Sequence, residues 1–367
     1  MSSKICRWGI LGAADIARKN WKSIWTGESG VLTAVASRDA KRAQNFIDEC
    51  QSSTPFLEAP QAVEGYDALI AREDVDAVYI PLPTGVRTEW AVKAANAGKH
   101  VMVEKPCGCN LAEVQQIIDA CNANNVQFMD GVMLMHTERV KKMREVLDDG
   151  VSVGELRRIS VQFTFNGGDD FHAGNIRVSE ELEPLGCLGD IGWYCIRLTL
   201  IGTNWQLPTE VRACTLTGTD PNDPQGSVPI EFEASMKFPG GVSSNFYCSF
   251  ITEMHQYVSY QGTKGALVVD DHTLPFHGSE LAFNVEQPAF DKYGCDFIME
   301  PHTTRHATRE YSHGHPTAQE SRLFETFSRL VNSGERDPRW ADYTLATQRV
   351  LDACARSARS GETVTDI

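Results

Sequence analysis

A turn of small residues after the first apolar run is the earliest stretch of the chain that could do chemistry. It reads Leu-Gly-Ala-Ala-Asp-Ile-Ala over residues 11–17. In a dinucleotide-binding fold, such a turn lets backbone N–H groups approach a pyrophosphate at the positive end of the first helix. Gly12 keeps one glycine of the G-x-G-x-x-G pattern, while Ala14 and Ala17 take the other two places. We therefore predict cofactor contacts from Gly12, Ala13, Ala14, Asp15 and Ile16.

Basic side chains follow the second apolar run, about 25 residues past Gly12, where an NAD-binding fold carries an acidic residue for the ribose hydroxyls. Arg38 stands close to that place, with Ser37 beside it and Arg42 one turn further on. A guanidinium can neutralise the 2′-phosphate of NADP, so these three residues favour NADP over NAD as the cofactor. The simpler interpretation makes Arg38 a solvated loop charge, while Asp39 caps the next helix.

Two later apolar runs end in residues that would face a ligand, because ligands of open α/β sheets bind at the carboxyl ends of the strands. One predicted strand ends at residues 80–84 and the next at residues 103–106. A lysine at such a strand end can polarise a carbonyl or lower the pKa of a neighbouring group. The alternative is a surface lysine paired with Glu104. We predict cofactor contacts here from Pro81, Leu82, Pro83, Thr84, Glu104 and Lys105.

A glycine-rich stretch in the second half of the chain, residues 186–194 (GCLGDIGWY), combines a carboxylate with a phenol. On a helix, Asp190 and Tyr194 would share one face, and Gly189 and Gly192 would leave room for a substrate. A carboxylate can orient a hydroxyl group, and a phenol whose pKa is lowered by a cation can exchange a proton with the reacting oxygen. The alternative is a packed Asp–Tyr hydrogen bond in a helix interface.

The elements that must position these residues alternate between strand and helix in the first third of the chain. Short apolar runs predict strands over residues 7–11, 32–36, 75–82 and 100–104. Apolar residues at helical spacing predict helices over residues 40–50, 87–97 and 111–122, with Gly98 ending the second helix. Strand alternating with helix predicts an α/β fold with a doubly wound parallel sheet, a Rossmann domain over residues 1–131.

After residue 131 the pattern changes to longer alternating strands. A helix is predicted over residues 138–147, and strands over residues 156–165, 230–238, 241–250, 257–261 and 266–270. Turn residues between the later strands indicate an antiparallel meander. Residues 276–316 lack periodicity and predict a long surface loop, which two amphipathic helices over residues 317–333 and 343–360 follow. We therefore predict an α+β domain over residues 132–367 with a large, mostly antiparallel open sheet.

Composition limits the environment and the partners. The chain has 42% hydrophobic residues and a formal net charge of -15, which repels nucleic acid and anionic membranes. Its apolar runs fall short of the roughly 18 residues that a membrane span needs. Eleven cysteines, an odd number spread over the chain, fit free thiols in a reducing cytoplasm better than a disulfide framework. We expect a soluble, cytoplasmic protein.

The order and spacing of these motifs resemble the glucose–fructose oxidoreductase/inositol dehydrogenase/rhizopine catabolism (Gfo/Idh/MocA) family. The resemblance rests on residues 12–17, 104–106 (EKP), 186–194 and 262–265 (GTKG). Tyr194 stands where inositol dehydrogenase-like members carry His. In this respect the chain is similar to the branch that contains dimeric dihydrodiol dehydrogenases and NADP-dependent xylose dehydrogenases.

The resemblance implies hydride transfer to or from C4 of nicotinamide, on an aldose, a similar polyol or a trans-dihydrodiol. It implies that Tyr194 is the acid/base, Lys105 the cation that lowers its pKa, and Asp190 the residue that orients the substrate. Substrate contacts are implied for Arg177, Asp190, Trp193 and Tyr194. The resemblance also implies a homodimer or homotetramer that associates through the C-terminal sheet.

Two departures from the family pattern concern the expected substrate side. Pro184 and Leu185 stand where the family has its leading glycines, and Arg87 stands where the family commonly has His. We take both positions to line the substrate side, so we expect a substrate that differs from those of named members.

Two alternatives from other classes are open at this point. A catalytically silent, nicotinamide-binding regulator would keep the fold without turnover, although the retention of all the predicted catalytic residues argues against it. A metal site is the other, because the first pair among His302, His306, His313 and His315 has i, i+4 spacing. The segment lacks a matching carboxylate motif, so we predict no metal.

Overall fold

Sixteen strands and ten α-helices are present in residues 4–367, the part of the chain that this computed structural model describes. The strands are β1 (Cys6–Leu11), β2 (Gly30–Ser37), β3 (Gln61–Glu64), β4 (Ala77–Ile80), β5 (His100–Val103), β6 (Phe128–Asp130), β7 (Leu156–Asn166), β8 (Glu210–Gly218), β9 (Pro229–Lys237), β10 (Ser243–Ser249), β11 (Ile251–Gly262), β12 (Ala266–Val269), β13 (Leu281–Glu286), β14 (Ala289–Tyr293), β15 (Asp296–Glu300) and β16 (Thr303–Thr308). The helices are α1 (Asp15–Thr26), α2 (Ala40–Ser53), α3 (Tyr66–Ile70), α4 (Thr84–Asn96), α5 (Leu111–Ala123), α6 (Glu138–Asp148), α7 (Gly168–Gly174), α8 (Trp193–Gly202), α9 (Gln319–Ser333) and α10 (Arg339–Ser360).

A six-stranded parallel sheet forms the centre of the first of two compact units. This unit consists of the chain up to His136, Glu181–Pro184 and His313–Gln348. The strand order is β3-β2-β1-β4-β5-β6, and each described pair is parallel. The order reverses between β1 and β4, which opens a crevice at the carboxyl ends where such sheets bind ligands. The prediction of a Rossmann sheet is confirmed.

Apolar burial on both faces explains why the strands of this sheet form. Almost all residues of β1, β4 and β5 are buried, as a parallel sheet covered on both sides requires. Trp8 packs edge-on against Phe324 of α9, with ring centroids 5.2 Å apart. Burying one large apolar side chain in this way stabilises the fold by about 1.5–3 kcal/mol. Helix α9 thus belongs to the first unit. The predicted domain boundary at residue 131 places this helix in the C-terminal domain instead. The domain ranges 1–131 and 132–367 stay a prediction.

An eight-stranded mixed sheet dominates the second unit, which consists of Thr137–Glu180, Leu185–Ser312 and Arg349–Ile367. The strand order is β16-β13-β12-β11-β7-β10-β9-β8. β7 and β10 pair in parallel, and the other described pairs of this sheet are antiparallel. Buried and exposed residues alternate along β9, so one face of the sheet packs inward. The predicted large, mostly antiparallel sheet is confirmed.

The predicted surface loop over residues 276–316 was wrong. The segment contains β13 and β16, which extend the large sheet, and the β14–β15 hairpin, which forms a separate two-stranded sheet. Most residues of β14, β15 and β16 are exposed, so no alternation of apolar and polar residues marks them in the sequence. The sequence pattern also does not reveal β3, whose two end residues are exposed.

Local signals set two helix ends as predicted. The Asp39 side chain accepts a hydrogen bond from the Lys41 amide at 2.8 Å and so caps α2. Gly98 follows the end of α4 with a φ of 76°, a left-handed conformation that favours glycine. Both ends are short-range features, which explains why the sequence reveals them.

The bonding state of the cysteines and the apolar character of the helices relate to the predicted free thiols and the predicted lack of a membrane span. None of the eleven cysteines, all of which lie within residues 4–367, is in a disulfide bond. Burial raises the pKa of Cys50 to about 11 and that of Cys121 to about 12, which keeps these thiols protonated at neutral pH. Among the helices of the described chain, we find none that combines the length and the apolar character of a membrane span.

Candidate active site

The turn between β1 and α1 brings the backbone close to its neighbours, as its small residues predict. Gly12 adopts a φ of 108°, and its amide donates to the Ala36 carbonyl at 2.8 Å. A Cβ at this position would lie 2.9 Å from Leu82 Cδ2, so a larger residue would have to displace that side chain. Ala14 precedes α1 and provides no side-chain cap for the first helical turn. The turn therefore presents the positive end of a helix to an anion.

The other predicted contacts of this turn differ in exposure. Ala13 and Ala14 are half-buried, whereas Asp15 and Ile16 are exposed. The Asp15 carboxylate pairs with Arg18 at 2.8 Å within the first turns of α1. Asp15 thus interacts with its own helix, and the turn offers a ligand mainly backbone groups.

A basic cluster lies beyond the end of β2, around a tyrosine that the sequence analysis did not single out. Ser37 is buried at the end of β2, while Arg38 and Arg42 are exposed. Burial raises the pKa of Tyr66, and the positive charges of Arg38 and Arg42 oppose that rise because both guanidinium groups lie near the phenol. The Tyr66 hydroxyl is also 3.8 Å from the Cβ position of Gly12. These cations and the turn between β1 and α1 therefore lie at the same edge of the sheet. Tyr66 follows β3, the strand that the sequence pattern did not reveal.

The end of β4 carries further predicted cofactor contacts, and one of them has a different partner. Pro81 and Leu82 are buried, and Pro83 is half-buried. Thr84 is also buried, and its amide and hydroxyl donate to the Glu183 carboxylate at 3.0 and 2.6 Å. Because Glu183 takes both of these donors, the structure argues against a hydrogen bond from the Thr84 hydroxyl to a cofactor.

Arg87, which we took to line the substrate side, is buried and only 3% exposed. Its Nε donates to the Leu82 carbonyl at 2.8 Å, and its Nη1 donates to the Glu104 carbonyl at 2.8 Å and to the Pro106 carbonyl. The expectation for Arg87 was therefore wrong. The sequence places Arg87 on a helix. It does not show that the side chain points inward and donates to backbone carbonyls at the ends of β4 and β5.

Lys105 lies in the turn after β5. Its amide donates to Glu104 Oε2 at 3.3 Å, its side chain is half-buried, and its peptide bond to Pro106 is cis. Glu104 is buried, and its Oε1 accepts a hydrogen bond from the Tyr79 hydroxyl at 2.5 Å. The side-chain amide of Asn20 donates to the same hydroxyl at 2.6 Å. The Glu104 carboxylate is thus fixed within the first unit by Tyr79 and by local backbone.

In the second unit, Arg177 and Asp190 form an ion pair. Arg177 Nε lies 2.8 Å from Asp190 Oδ2, and the Asp190 side chain is 14% exposed against 42% for Arg177. Asn175 Oδ1 accepts a hydrogen bond from the Arg177 amide at 3.0 Å, which holds the turn that carries the arginine. The structure therefore brings together two residues for which substrate contacts were predicted.

The segment around Asp190 is not one regular helix, which corrects the prediction that Asp190 and Tyr194 share a face of an α-helix. Leu188–Gly192 is a π-helical turn, and Tyr194 belongs to the first turn of α8. A Cβ on Gly192 would lie 3.3 Å from Cys248 Sγ, so the protein itself fills the room that we expected there for a substrate. Single π-helical turns occur frequently at functional sites.

The two aromatic residues that follow differ from each other in their surroundings. Tyr194 is 5% exposed, and its ring lies 5.9 Å from the ring of Phe163. Trp193 is fully buried, with the Arg197 guanidinium carbon 5.8 Å from its ring centroid. The burial of Trp193 argues against the predicted contact between its indole and a substrate. Lys105 belongs to the first unit and Tyr194 to the second.

The histidines considered as metal ligands have other neighbours. His302 pairs with the exposed Glu300 at 3.3 Å, and the His306 ring stacks on Phe283 with centroids 4.9 Å apart. Throughout residues 4–367, no group of three or more His, Cys, Asp or Glu side chains is placed to hold a metal ion.

Two family models match the chain. The model described as "Oxidoreductase family, NAD-binding Rossmann fold" matches residues 6–132, and the model of the GFO/IDH/MocA C-terminal domain matches residues 140–268. The first match covers β1 to β6, and the second runs from α6 into β12. Together the two matches include every residue of the predicted catalytic set.

Proteins of similar sequence and structure cover most of the chain. D-xylose 1-dehydrogenase (NADP(+)) 2 of Haloferax volcanii is 29% identical over 97% of this chain and 98% of its own length. A dTDP-3,4-didehydro-2,6-dideoxy-alpha-D-glucose 3-reductase of Streptomyces violaceoruber is 31% identical over 77% of this chain and 78% of its own length. The crystal structure of KijD10, a 3-ketoreductase from Actinomadura kijaniata in complex with NADP and TDP-benzene, is similar with a TM-score of 0.81 and 25% identity, over 97% of this chain and 98% of that chain.

We expect Gly12→Ala to weaken dinucleotide binding, because the new Cβ would displace Leu82 at the end of β4. Gly98→Ala is the matched control, since Gly98 has a φ of 76° in the same unit and nothing within 4 Å of its Cβ position. The left-handed backbone alone costs about 1–2 kcal/mol of stability in either variant. Only Gly12→Ala should raise the Kd of a reduced dinucleotide, by roughly tenfold in a fluorescence titration. Equal Kd values for the two variants would contradict this role of Gly12.

Proposed function

The chain belongs to the Gfo/Idh/MocA oxidoreductase family, and from that premise we propose that it is an NADP-dependent enzyme that transfers hydride between nicotinamide and a CH–OH carbon of a sugar or related polyol. One observation carries the proposal: Lys105 follows the end of β5, beside the end of β4 where Leu82 packs on Gly12. An ammonium group at this edge of a parallel sheet lies on the side where a nicotinamide cofactor binds.

The first unit fits NADP. A Cβ at Gly12 would fill the cradle at the turn, and α1 begins without a side-chain cap, so backbone N–H groups can bind a pyrophosphate. Arg38 and Arg42 near Tyr66 supply positive charge for the 2′-phosphate. When bound, NADP supplies the nicotinamide carbon that accepts or donates the hydride. The names of the Haloferax volcanii relative and of the KijD10 complex both include NADP, which supports NADP over NAD.

Tyr194 acts as the acid/base in this proposal, and Lys105 is the cation that assists it. In the oxidative direction the deprotonated Tyr194 would take the hydroxyl proton while the substrate carbon loses its hydride to the nicotinamide that NADP would supply, so the alcohol becomes a carbonyl and Tyr194 a neutral phenol. In the reductive direction the phenol returns that proton to the carbonyl oxygen. The Lys105 ammonium polarises the substrate oxygen and lowers the pKa of the phenol. The packing of Tyr194 against Phe163 at the start of α8 supports this role, because a ring contact on one side limits the motion of the phenol.

Asp190 orients the hydroxyl groups of the substrate, with Arg177 beside it. The ion pair holds the Asp190 carboxylate in a fixed direction. A carboxylate offers more lone pairs than one guanidinium contact uses, so Asp190 can also accept a hydrogen bond from a substrate hydroxyl. A polyhydroxylated substrate therefore suits this pair better than an apolar one.

The substrate that we propose is an aldose such as xylose or glucose, or a trans-dihydrodiol. One relative is named for D-xylose and another for a dTDP-linked deoxyglucose, so the panel of substrates to test includes both free and nucleotide-linked sugars. A catalytically silent regulator of the same fold is the second candidate. Such a protein would bind NADPH and give no change in nicotinamide absorbance with any sugar.

We also propose that the protein is a homodimer or homotetramer that associates through the eight-stranded sheet. Exposed residues such as Ser235 alternate with buried ones along β9, so one face of the sheet is exposed in the single chain. An exposed sheet face of this kind can pack against the same face of a second copy in an isologous contact.

Tyr194→Phe should lower turnover by about a hundredfold or more, since a positioned acid/base contributes that much, and it should leave the Kd of NADPH nearly unchanged. Steady-state kinetics with the best sugar of the panel measures the first effect and fluorescence titration the second. Tyr260→Phe is the matched control, because Tyr260 is also buried in the second unit and donates to the Leu198 carbonyl at 2.9 Å. The control should lose stability and keep its turnover. Wild-type turnover in Tyr194→Phe would rule out the assignment.

Arg38→Ala should reduce kcat/KM with NADP by roughly tenfold or more and change kcat/KM with NAD little, since the guanidinium pairs with the 2′-phosphate that NAD lacks. Lys142→Ala on the exposed side of α6 changes the net charge by the same amount and serves as the control. The measurement is the ratio of the two kcat/KM values for each variant. An equal loss with both cofactors would assign Arg38 a role other than reading the 2′-phosphate.

The purified protein should sediment as a homodimer or homotetramer, and Ser235→Arg on the exposed face of β9 should shift it toward the monomer. Ser333→Arg, at the exposed end of α9, is the control and should leave the mass unchanged. Sedimentation velocity over a range of protein concentrations decides between these outcomes. A monomeric wild-type protein would contradict association through the sheet.

A further inference from the structure

One nitrogen atom of Arg87 contacts the backbone on both sides of Lys105. Nη1 donates to the Glu104 carbonyl at 2.8 Å and also to the Pro106 carbonyl. These two carbonyls belong to the residues that precede and follow Lys105 in the chain. A planar guanidinium with fixed donor directions therefore restrains the backbone from which the Lys105 side chain extends.

The other donors of Arg87 attach this turn to the neighbouring strand. Nε donates to the Leu82 carbonyl at 2.8 Å, and Nη2 donates to the same oxygen. β4 and β5 are adjacent in the parallel sheet, and their ladder ends with the pair of Ile80 and Val103. Arg87 thus continues the connection between the two chain segments beyond the point where strand hydrogen bonds stop.

The network extends from Arg87 to a segment that is distant in the sequence. Nη1 of Arg87 lies 3.3 Å from Thr84 Oγ1, which in turn donates to Glu183 Oε2 at 2.6 Å. The amide of Gly85 donates to the Leu182 carbonyl at 2.9 Å. Glu181–Pro184 belongs to the same compact unit as Arg87 and precedes, along the chain, the segment with Asp190.

We propose that Arg87 is a positioning residue for Lys105, which it holds through the carbonyls of Glu104 and Pro106, and that Thr84 and Glu183 fix Arg87 in turn. The proposal rests on the catalytic role proposed for Lys105 and concerns contacts within the first unit. A histidine at this position, the residue of the family pattern, has fewer N–H donors and a shorter side chain. It could not bind the ends of β4 and β5 in the same way.

The test compares Arg87→Met with the wild-type protein. The variant keeps a long apolar side chain and loses all the donors. We expect kcat to fall by about thirtyfold or more while the Kd of NADPH rises by less than about fivefold, since a displaced catalytic group loses rate more than ground-state binding. We also expect the limb of the kcat–pH profile that reports the acid/base to move to higher pH, because a displaced ammonium no longer lowers the pKa of the phenol.

Arg7→Met is the matched control. Arg7 also joins two strands of the parallel sheet, through hydrogen bonds to Asp76 at 2.8 and 2.9 Å, but at the amino ends of β1 and β4. The control should lose stability and keep both its kcat and its pH profile. Arg87→Lys keeps the charge and one donor group, so it should recover part of the rate, and it replaces Arg87→Met if that variant does not fold. A lower kcat with an unmoved pH limb, or an unchanged kcat, would overturn the proposal.

Hydrogen exchange separates this inference from the proposed function. In Arg87→Met, the peptide that covers Glu104 to Cys109 should exchange roughly tenfold faster, while peptides from β7 should be unchanged, because the lost bonds restrain only that turn. If the wild-type protein shows no turnover with any sugar, the proposed function fails, and unchanged exchange in this peptide would overturn the positioning role by itself.

Discussion

A guanidinium that is buried at the edge of a parallel sheet must satisfy its donors, and in this chain Arg87 satisfies them with carbonyls at the ends of β4 and β5. Leaving a buried carbonyl without a donor costs about 1–3 kcal/mol, so the arginine and the two strand ends stabilise one another. Leu82, one of the residues bound in this way, packs on Gly12 in the turn between β1 and α1. The geometry of the carboxyl edge therefore depends on a side chain that bonds the protein's own backbone.

A different constraint shapes the second unit, where close packing sets the path of the chain around Asp190. Gly186 adopts a φ of 48° and approaches the Pro229 carbonyl so closely that a Cβ would lie 2.1 Å from that oxygen. Gly192 packs against Cys248 of β10. The π-helical turn that ends at Gly192 carries Asp190, whose carboxylate forms the ion pair with Arg177. The two glycines thus allow close packing of this segment against its neighbours. The Asp190 carboxylate lies on the side of the turn that faces Arg177.

Prediction from the sequence succeeded where the signal was local or strongly apolar. The strands β1, β4 and β5 are continuous apolar runs because both faces of the sheet are covered, and this pattern is visible without a structure. Asp39 and Gly98 mark helix ends through contacts within a few residues. The strands β14 to β16 have exposed residues, and their pairing depends on partners elsewhere in the chain, so the pattern suggested a loop.

For the candidate site, the sequence revealed the types and the order of the residues, but it did not reveal their hydrogen-bond and ion-pair partners. The sequence indicates an oxidoreductase family through the small-residue turn, the lysine after β5 and the Asp-x-Gly-x-Tyr segment. The family models confirm this prediction. The electrostatic influence of Arg38 and Arg42 on Tyr66, the ion pair of Arg177 with Asp190 and the hydrogen bond of Arg87 to the Glu104 carbonyl join residues more than one helical turn or strand apart, so short-range spacing does not reveal them.

The sequence by itself determined the alternation of strands and helices, the fold class and the residues able to do chemistry, because those properties depend on side-chain type and short-range spacing. Only the tertiary structure decided whether a polar side chain faces a crevice or bonds other groups of the protein, as Thr84 bonds the Glu183 carboxylate and Arg87 bonds backbone carbonyls. The physical reason is that a buried polar group must find its hydrogen-bond partner wherever the fold places one, and a one-dimensional pattern contains no record of that place.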